Sequence, residues 1–158
     1  MSNEFLGEEA DKAFLAMIHN ISSNRSLSVL LQQSKHKCPP VRAKVAMYLE
    51  KLIEVIGPQI FEHREFEKLI TVIGDFVNEG SINIRTHTKQ IIARLYYLSP
   101  KAKNPAFSKD FLGTLKKSLA FQQYQKISQI VQQCTEDNTP DTTQTNDLTT
   151  NCKNQNER

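Results

Sequence analysis

The chain has no tryptophan, only five glycines, six prolines and three cysteines, and no long uninterrupted apolar run. Each shortage excludes something. Without Trp, and with aromatics at 8%, the core must be aliphatic, built from Leu, Ile and Val. So few Gly and Pro exclude a many-turned all-β sandwich and a collagen-like chain. No stretch approaches the ~18 apolar residues of a membrane span, so no membrane partner is expected. Cys38, Cys134 and Cys152 are odd in number, far apart and in no CxxC spacing. That argues against a disulfide framework or a metal site and for a reducing compartment. The first residues, Met1-Ser2-Asn3-Glu4, lack the basic-then-apolar layout of a secretory leader. The expectation is a soluble, intracellular, all-α protein, and 158 residues suffice for one domain with a real core.

The net charge of +3 conceals an uneven distribution. Residues 1–79 carry nine basic and eleven acidic side chains. Residues 80–133 carry nine basic ones (Arg85, Lys89, Arg94, Lys101, Lys103, Lys109, Lys116, Lys117, Lys126) against a single acid, Asp110. That half should present a positive field to an acidic partner, unless the charges merely solvate the surface.

From Thr135 onward the residues are largely Thr, Asn, Gln and Asp, with Leu148 the only large aliphatic. Such a segment buries too little apolar surface to offset the entropy of ordering, so 134–158 is expected to be a disordered polar tail. Residues 1–7 are expected to be a flexible N-terminus, leaving 8–133 as the folded body.

Within that body the apolar spacing is helical. Val41, Val45, Tyr48, Leu49, Leu52, Val55 and Ile56 draw one face of a helix over 39–56. Pro39 and Pro40 suit its first turn, and Gly57-Pro58 suits its end. Sliding this segment 43 residues along places Val41-Arg42 on Ile84-Arg85, and Val45, Leu49 and Leu52 on Thr88, Ile92 and Leu95. Leu27 and Leu30 of the preceding helix fall on Ile70 and Ile73. The chain therefore repeats, with a period in the ~40–47 residue range of HEAT and armadillo helix pairs. Helices are predicted over 8–20, 24–33, 39–56, 64–78, 82–98, 108–119 and 121–133. Phe14, Met17, Ile18 and Ile21 share a face of the first, and Ser22 and Ser23 offer an N-cap to the second. The last two helices form a weaker third pair. The expected architecture is a short α-solenoid of about three HEAT pairs behind a leading helix.

The dipeptides Val41-Arg42 and Ile84-Arg85 begin the second helix of each pair, as in HEAT repeats. Residues 8–57, "EEADKAFLAMIHNISSNRSLSVLLQQSKHKCPPVRAKVAMYLEKLIEVIG", resemble the second half of a TOG domain, the tubulin-binding HEAT module. Among such domains they are most similar to those of CLASP and of crescerin, a ciliary TOG-array protein. Glu9-Ala10-Asp11-Lys12-Ala13, the Ser34-Lys35-His36-Lys37 turn and Val41-Arg42-Ala43 carry most of the likeness. "GSINIRTHTKQIIARLYYL" (80–98) fits the next repeat. A full TOG domain has about twice as many pairs, and many carry a Trp that docks on β-tubulin, which this chain lacks. The resemblance implies binding of tubulin or microtubules, and of other cytoskeletal proteins, in the cytoplasm, the cytoskeleton or the cilium and its axoneme.

In TOG domains the turns within successive pairs line up on one edge that meets tubulin. Here those turns are Ser34–Cys38 and Glu79–Asn83. The candidate residues are Lys35, His36 and Lys37 in the first, then Arg42, Ser81, Asn83, Arg85 and Lys89. Exposed ammonium groups there would steer an acidic partner and pair with its carboxylates. Arg42 and Arg85 admit a second reading, the favoured one, as arginines that bond within the stack. Arg94, Lys101 and Lys103 lie at the far end of their helix, as complements to its dipole or a generic basic patch. The histidines share no helix face with Cys or carboxylates in ligand spacing, so no metal is expected. No GxSxG, P-loop, HExxH or phosphate cradle is present, so neither an enzyme nor a cofactor is expected.

Three functions compete at this stage. One is a non-enzymatic, monomeric microtubule-associated protein. Another is a generic HEAT scaffold for a non-tubulin acidic partner, whose mark would be an exposed apolar groove. A third is nucleic-acid binding through residues 80–133; against it, Tyr96, Tyr97 and Tyr124 are placed as stack contacts rather than as base platforms.

Overall fold

The computed structural model describes residues 3–136, and these form an all-α fold with no strand among them. Eight α-helices run in order: α1 (Asn3–Asn20), α2 (Ser23–Gln33), α3 (Pro39–Ile56), α4 (Phe66–Val77), α5 (Ile82–Leu98), α6 (Pro105–Lys109), α7 (Phe111–Lys116) and α8 (Phe121–Glu136). Short 3₁₀ segments at Gly57–Glu62 and Ser99–Lys101 follow α3 and α5.

The helices form two layers. In one, α3 packs between α1 and α5, and α5 packs against α8. In the other, α2 lies on α3, α4 on α5 and α7 on α8. Helices α3 and α5 run parallel, since His87 meets Glu50 near their middles and Arg94 meets Glu54 further along both. The same offset of 37 residues recurs from neighbour to neighbour: Tyr48 bonds Asp11, His87 bonds Glu50, and the Tyr97 hydroxyl donates to the Cys134 carbonyl.

The core runs between the layers. Leu27, Leu49, Leu52, Ile53, Leu69, Ile84, Ile91, Ile92 and Leu95 are essentially sealed from solvent. Each such side chain contributes about 1.5–3 kcal/mol relative to leaving it exposed. Five pairs of positions 43 residues apart share a fate, whereas Val55, expected on the same face, is 44% exposed. Leu27 and Ile70, Leu30 and Ile73, Val45 and Thr88, Leu49 and Ile92, and Leu52 and Leu95 are buried in both copies. A further step of 43 carries Ile84 and Thr88 onto Ile127 and Val131, also buried. Thr88 keeps its hydroxyl satisfied there by donating to the Ile84 carbonyl at 2.6 Å.

Several boundaries follow the sequence signals. Pro39 and Pro40 open α3, and Gly57 closes it at φ +63°, returning its N–H to the Ile53 carbonyl. Gly74, buried in α4, lets Leu119 and Gln123 approach so closely that a Cβ would sit 2.8 Å from the Leu119 side chain.

Other expectations need correction. Helix α1 starts at Asn3, five residues before the start expected at residue 8. Its expected apolar face is only partly covered: Ile18 is buried and Phe14 stacks on Tyr48, but Met17 and Ile21 stay about 40% exposed. Ser22 occupies the N-cap position of α2 without a side-chain bond to it. The helix predicted over 108–119 is two short ones, because Pro105 starts α6 and Asp110 takes an extended conformation to cap α7, accepting the Gly113 N–H at 2.8 Å. After Gly57-Pro58 the chain coils in 3₁₀ form and buries Ile60 and Phe61, so α4 starts two residues late. Phe61, Phe66 and Phe107 cluster with centroids 5.1–5.3 Å apart. The expected tail falls outside the described residues, except that 134–136 extend α8.

Among the described residues no helix is long and apolar enough to cross a membrane.

Candidate functional site

The two turns at the starts of α3 and α5 are closed by the same device. In the first, the His36 N–H donates to the Gln33 carbonyl at 3.0 Å, and His36 Nδ1 accepts the Cys38 N–H at 3.1 Å. Arg42, one turn into α3, folds back so that Nη1 donates to the carbonyls of His36 (2.8 Å) and Lys37 (3.2 Å). In the second, Arg85 sends Nη1 to the carbonyls of Glu79 (2.9 Å) and Gly80 (3.2 Å). The accepting residues are again six and five positions upstream. An arginine suits this task because its forked, permanently charged donors can hold two carbonyls that no helix would otherwise satisfy.

The device then diverges. Arg42 also carries a carboxylate: Nη2 donates to Glu79 Oε2 at 3.1 Å, and Nε lies 2.8 Å from Oε1. The pair is partly shielded, the two side chains 17% and 24% exposed. Glu79 thus binds Arg42 through its side chain and Arg85 through its backbone, tying one turn to the next. Arg85 is exposed and, among the described residues, meets no carboxylate.

The eight sequence-derived candidates do not form one patch. Lys35, His36 and Lys37 are exposed on the first turn. Lys35 borders a groove of about 290 Å³ that also holds Arg42, Asp75 and Glu79, so carboxylates face it. Ser81 and Asn83 line a different cavity, of about 490 Å³, with Pro39, Pro40, Lys44 and His87. Arg85 and Lys89 line a third, between α5 and α8, of about 390 Å³. There they are joined by Lys126, which no sequence argument had brought to them. Its signal was nonetheless present: Lys126 stands 37 residues after Lys89, the offset that pairs α1 with α3 and α3 with α5.

The charge asymmetry of the sequence is partly cancelled in space. Arg94 lies 3.3 Å from Glu54, Lys103 3.7 Å from Glu62, and His87 Nδ1 2.7 Å from Glu50. The acidic first half thus lends carboxylates to the basic second half at the far end of α5. At the near end Glu50 reaches His87, whereas Arg85 and Lys89 meet no carboxylate among the described residues.

Four groups depart from their ordinary acidities for local reasons; one, Glu65, is held below the usual carboxylate range chiefly by its bond from Lys68. Hydrogen bonds from Lys44 and Tyr48 hold the Asp11 carboxyl below the usual carboxylate range. Burial, then the bond to Asp11, pushes the Tyr48 phenol up. At the far end burial holds the His63 imidazole below its ordinary pKa, and its Nδ1 accepts the Glu65 N–H at 3.2 Å. Asp11 and Tyr48 join α1 to α3, His63 and Glu65 shape the start of α4, and none of the four borders the three grooves of the candidate edge. Cys38 is an exposed free thiol, and among the described residues no His, Cys, Asp and Glu side chains converge as a metal site would require.

The near edge therefore offers ammonium and guanidinium groups, two amide-bearing turns and shallow grooves. Such groups are chemically able to pair with anions. Compared with known proteins, the chain matches no family model, no curated protein and no solved structure.

Proposed function

We propose that this protein is a non-enzymatic, monomeric binding module of HEAT type that presents its intra-pair turns to an acidic protein, and that this protein is tubulin. The observation that carries the reading is the doubled turn: two loops 43 residues apart, each pinned by an arginine to its own carbonyls, with Lys35, His36, Lys37, Asn83, Arg85 and Lys89 exposed around them. Rigid turns hold cations at fixed spacing, which limits the entropy lost on docking. The TOG-like residues of 8–57 and 80–98 support the choice of tubulin among acidic partners. A role in cytoskeletal or ciliary microtubule organisation follows from that choice.

The test is size-exclusion chromatography of the full chain with soluble tubulin at low salt. Co-migration is expected, and the double reversal Lys35→Glu/Lys37→Glu should weaken it about tenfold while helical content and melting temperature hold. Co-migration that the reversal leaves intact would remove the first turn from the interface. A folded chain that never co-migrates would overturn tubulin as partner and leave a HEAT scaffold for another acidic protein.

A further inference from the structure

The groove between α5 and α8 lacks something that its counterpart one repeat earlier possesses. Beside Arg42, the position 37 residues on is Glu79, whose carboxylate completes the guanidinium. Beside Arg85, the position 37 residues on is Gln122. Helix α8 also begins at Phe121, so this position lies in a helix and not in a turn as Glu79 does. Both the charge and the backbone shape that supplied the first carboxylate are gone. What remains is a cavity of about 390 Å³ floored by Val77 and Ile130 and flanked by Arg85, Lys89 and Lys126. Its other polar lining is amide, from Gln129 and Gln133, and among the described residues no acid borders it. Lys126 is held in place by donating to Asn78 Oδ1 at 2.6 Å, and Arg85 by its two turn carbonyls.

We infer that this groove is a carboxylate receptor, and that a Glu or Asp side chain of an acidic peptide segment on the partner enters it and completes Arg85 as Glu79 completes Arg42. Two held cations and a third beside them favour a carboxylate that can accept from a guanidinium fork while pairing with an ammonium. The apolar floor suits the methylene of a Glu or Asp side chain, and the terminal amides can bond a peptide backbone. The inference deepens the proposed function and rests on it only for the partner being an acidic protein.

The experiment uses the full chain and a capped, fluorescein-labelled hexaglutamate peptide, read by anisotropy at low salt. Three double reversals change net charge equally: Lys89→Glu/Lys126→Glu in the groove, Lys35→Glu/Lys37→Glu on the first turn, and Lys101→Glu/Lys117→Glu elsewhere in the basic half. The groove variant should lose about tenfold in affinity, the Lys101/Lys117 control no more than about twofold, and the first-turn variant clearly less than the groove variant. The neutral pair Lys89→Gln/Lys126→Gln should show a smaller loss in the same direction, and melting curves by circular dichroism verify that each variant is folded. Equal losses in all three would mean a general field and overturn the receptor. So would a loss confined to the first turn, an absence of peptide binding by the unaltered chain, or tighter binding of a single-stranded oligonucleotide than of the peptide at matched charge. The two proposals fail separately. Tubulin co-migration without groove-dependent peptide binding sinks the receptor and keeps the partner. Groove-dependent peptide binding without co-migration does the reverse.

Discussion

Arg42 and Arg85 each reach back five and six residues to hold two carbonyls, yet Arg42 is half-buried against Glu79 while Arg85 stands exposed and meets no carboxylate among the described residues. The repeat supplies the turn, and the neighbouring repeat supplies the counter-charge. Arg42 has a neighbour of its own kind on the side where its guanidinium emerges. Arg85 has α8, which begins early and carries Gln122 where a Glu would serve. The same residue, in the same local geometry, is thus a joint within the stack in one case and a free cation at its margin in the other. Local sequence decides the turn; position in the array decides whether its charge is spent inside the molecule.

If the two helix pairs are true copies, their cores should fail alike. Leu52→Ala and Leu95→Ala remove side chains that are 0% and 1% exposed, at positions one period apart. Each should cost about 2–5 kcal/mol through the cavity left behind. Denaturant unfolding measures both, and a cost in one copy several-fold that in the other would break the equivalence. The arginines should then separate. Arg42→Gln abandons two carbonyls and a partly buried carboxylate, for a loss of about 2–3 kcal/mol. Arg85→Gln gives up two carbonyls near solvent and should lose only about 1 kcal/mol. Equal losses would mean that Glu79 adds nothing to the first turn.

Glu79→Gln isolates that carboxylate. It turns the Arg42 site into one of the Arg85 kind without touching either guanidinium. Stability should fall by about 1 kcal/mol, because the pair is shielded but still reached by water. Affinity for the acidic peptide should rise, since Arg42 then lacks its ion pair beside Lys35 and Asp75 is the only carboxylate left among the groove's lining residues. Unaltered peptide affinity would show that an exposed guanidinium alone does not make a receptor, and that Lys89 and Lys126 are what matter.

Much of the layout could be read before any coordinates. The apolar period marked α3 and α5 to the residue, and Pro39-Pro40 and Gly57 marked the ends of α3 because their backbone preferences act locally. Five of the residue pairs aligned at 43 are buried in both copies, while Val55 is not buried. The third pair was less legible. Asp110 breaks it by capping a new helix, an outcome that depends on competition between one side chain and the helix ladder. The phenylalanine cluster of 61, 66 and 107 joins residues too far apart in sequence for periodicity to reveal. The candidate edge was read as continuous because Lys35, Ser81 and Arg85 all sit near turns. In space they open onto three separate grooves, a matter of which neighbour each side chain faces.

The smallest expected effect compares two histidines in one local motif. His36 and His63 each accept, through Nδ1, the N–H of the residue two positions on. His36 is exposed, whereas His63 is half-buried with its Nε2 sealed and unpartnered among the described residues. Burial holds the His63 imidazole below its ordinary value; Glu65 opposes that shift and Arg64 adds to it. The unfolded chain therefore takes up a proton near pH 6.5 before the folded chain does. Stability contributed by neutral His63 is complete well above pH 6.5 and is lost as the pH falls toward the lowered folded value. His63→Asn keeps an acceptor for the Glu65 N–H and removes the titrating ring. Between pH 7.5 and 5.5 it should flatten the decline in melting temperature by a degree or two relative to the unaltered chain, roughly a few tenths of a kcal/mol. His36→Asn, which alters the same kind of bond at an exposed turn, provides the reference. An identical response from both variants would place the pH dependence outside the buried joint at the start of α4.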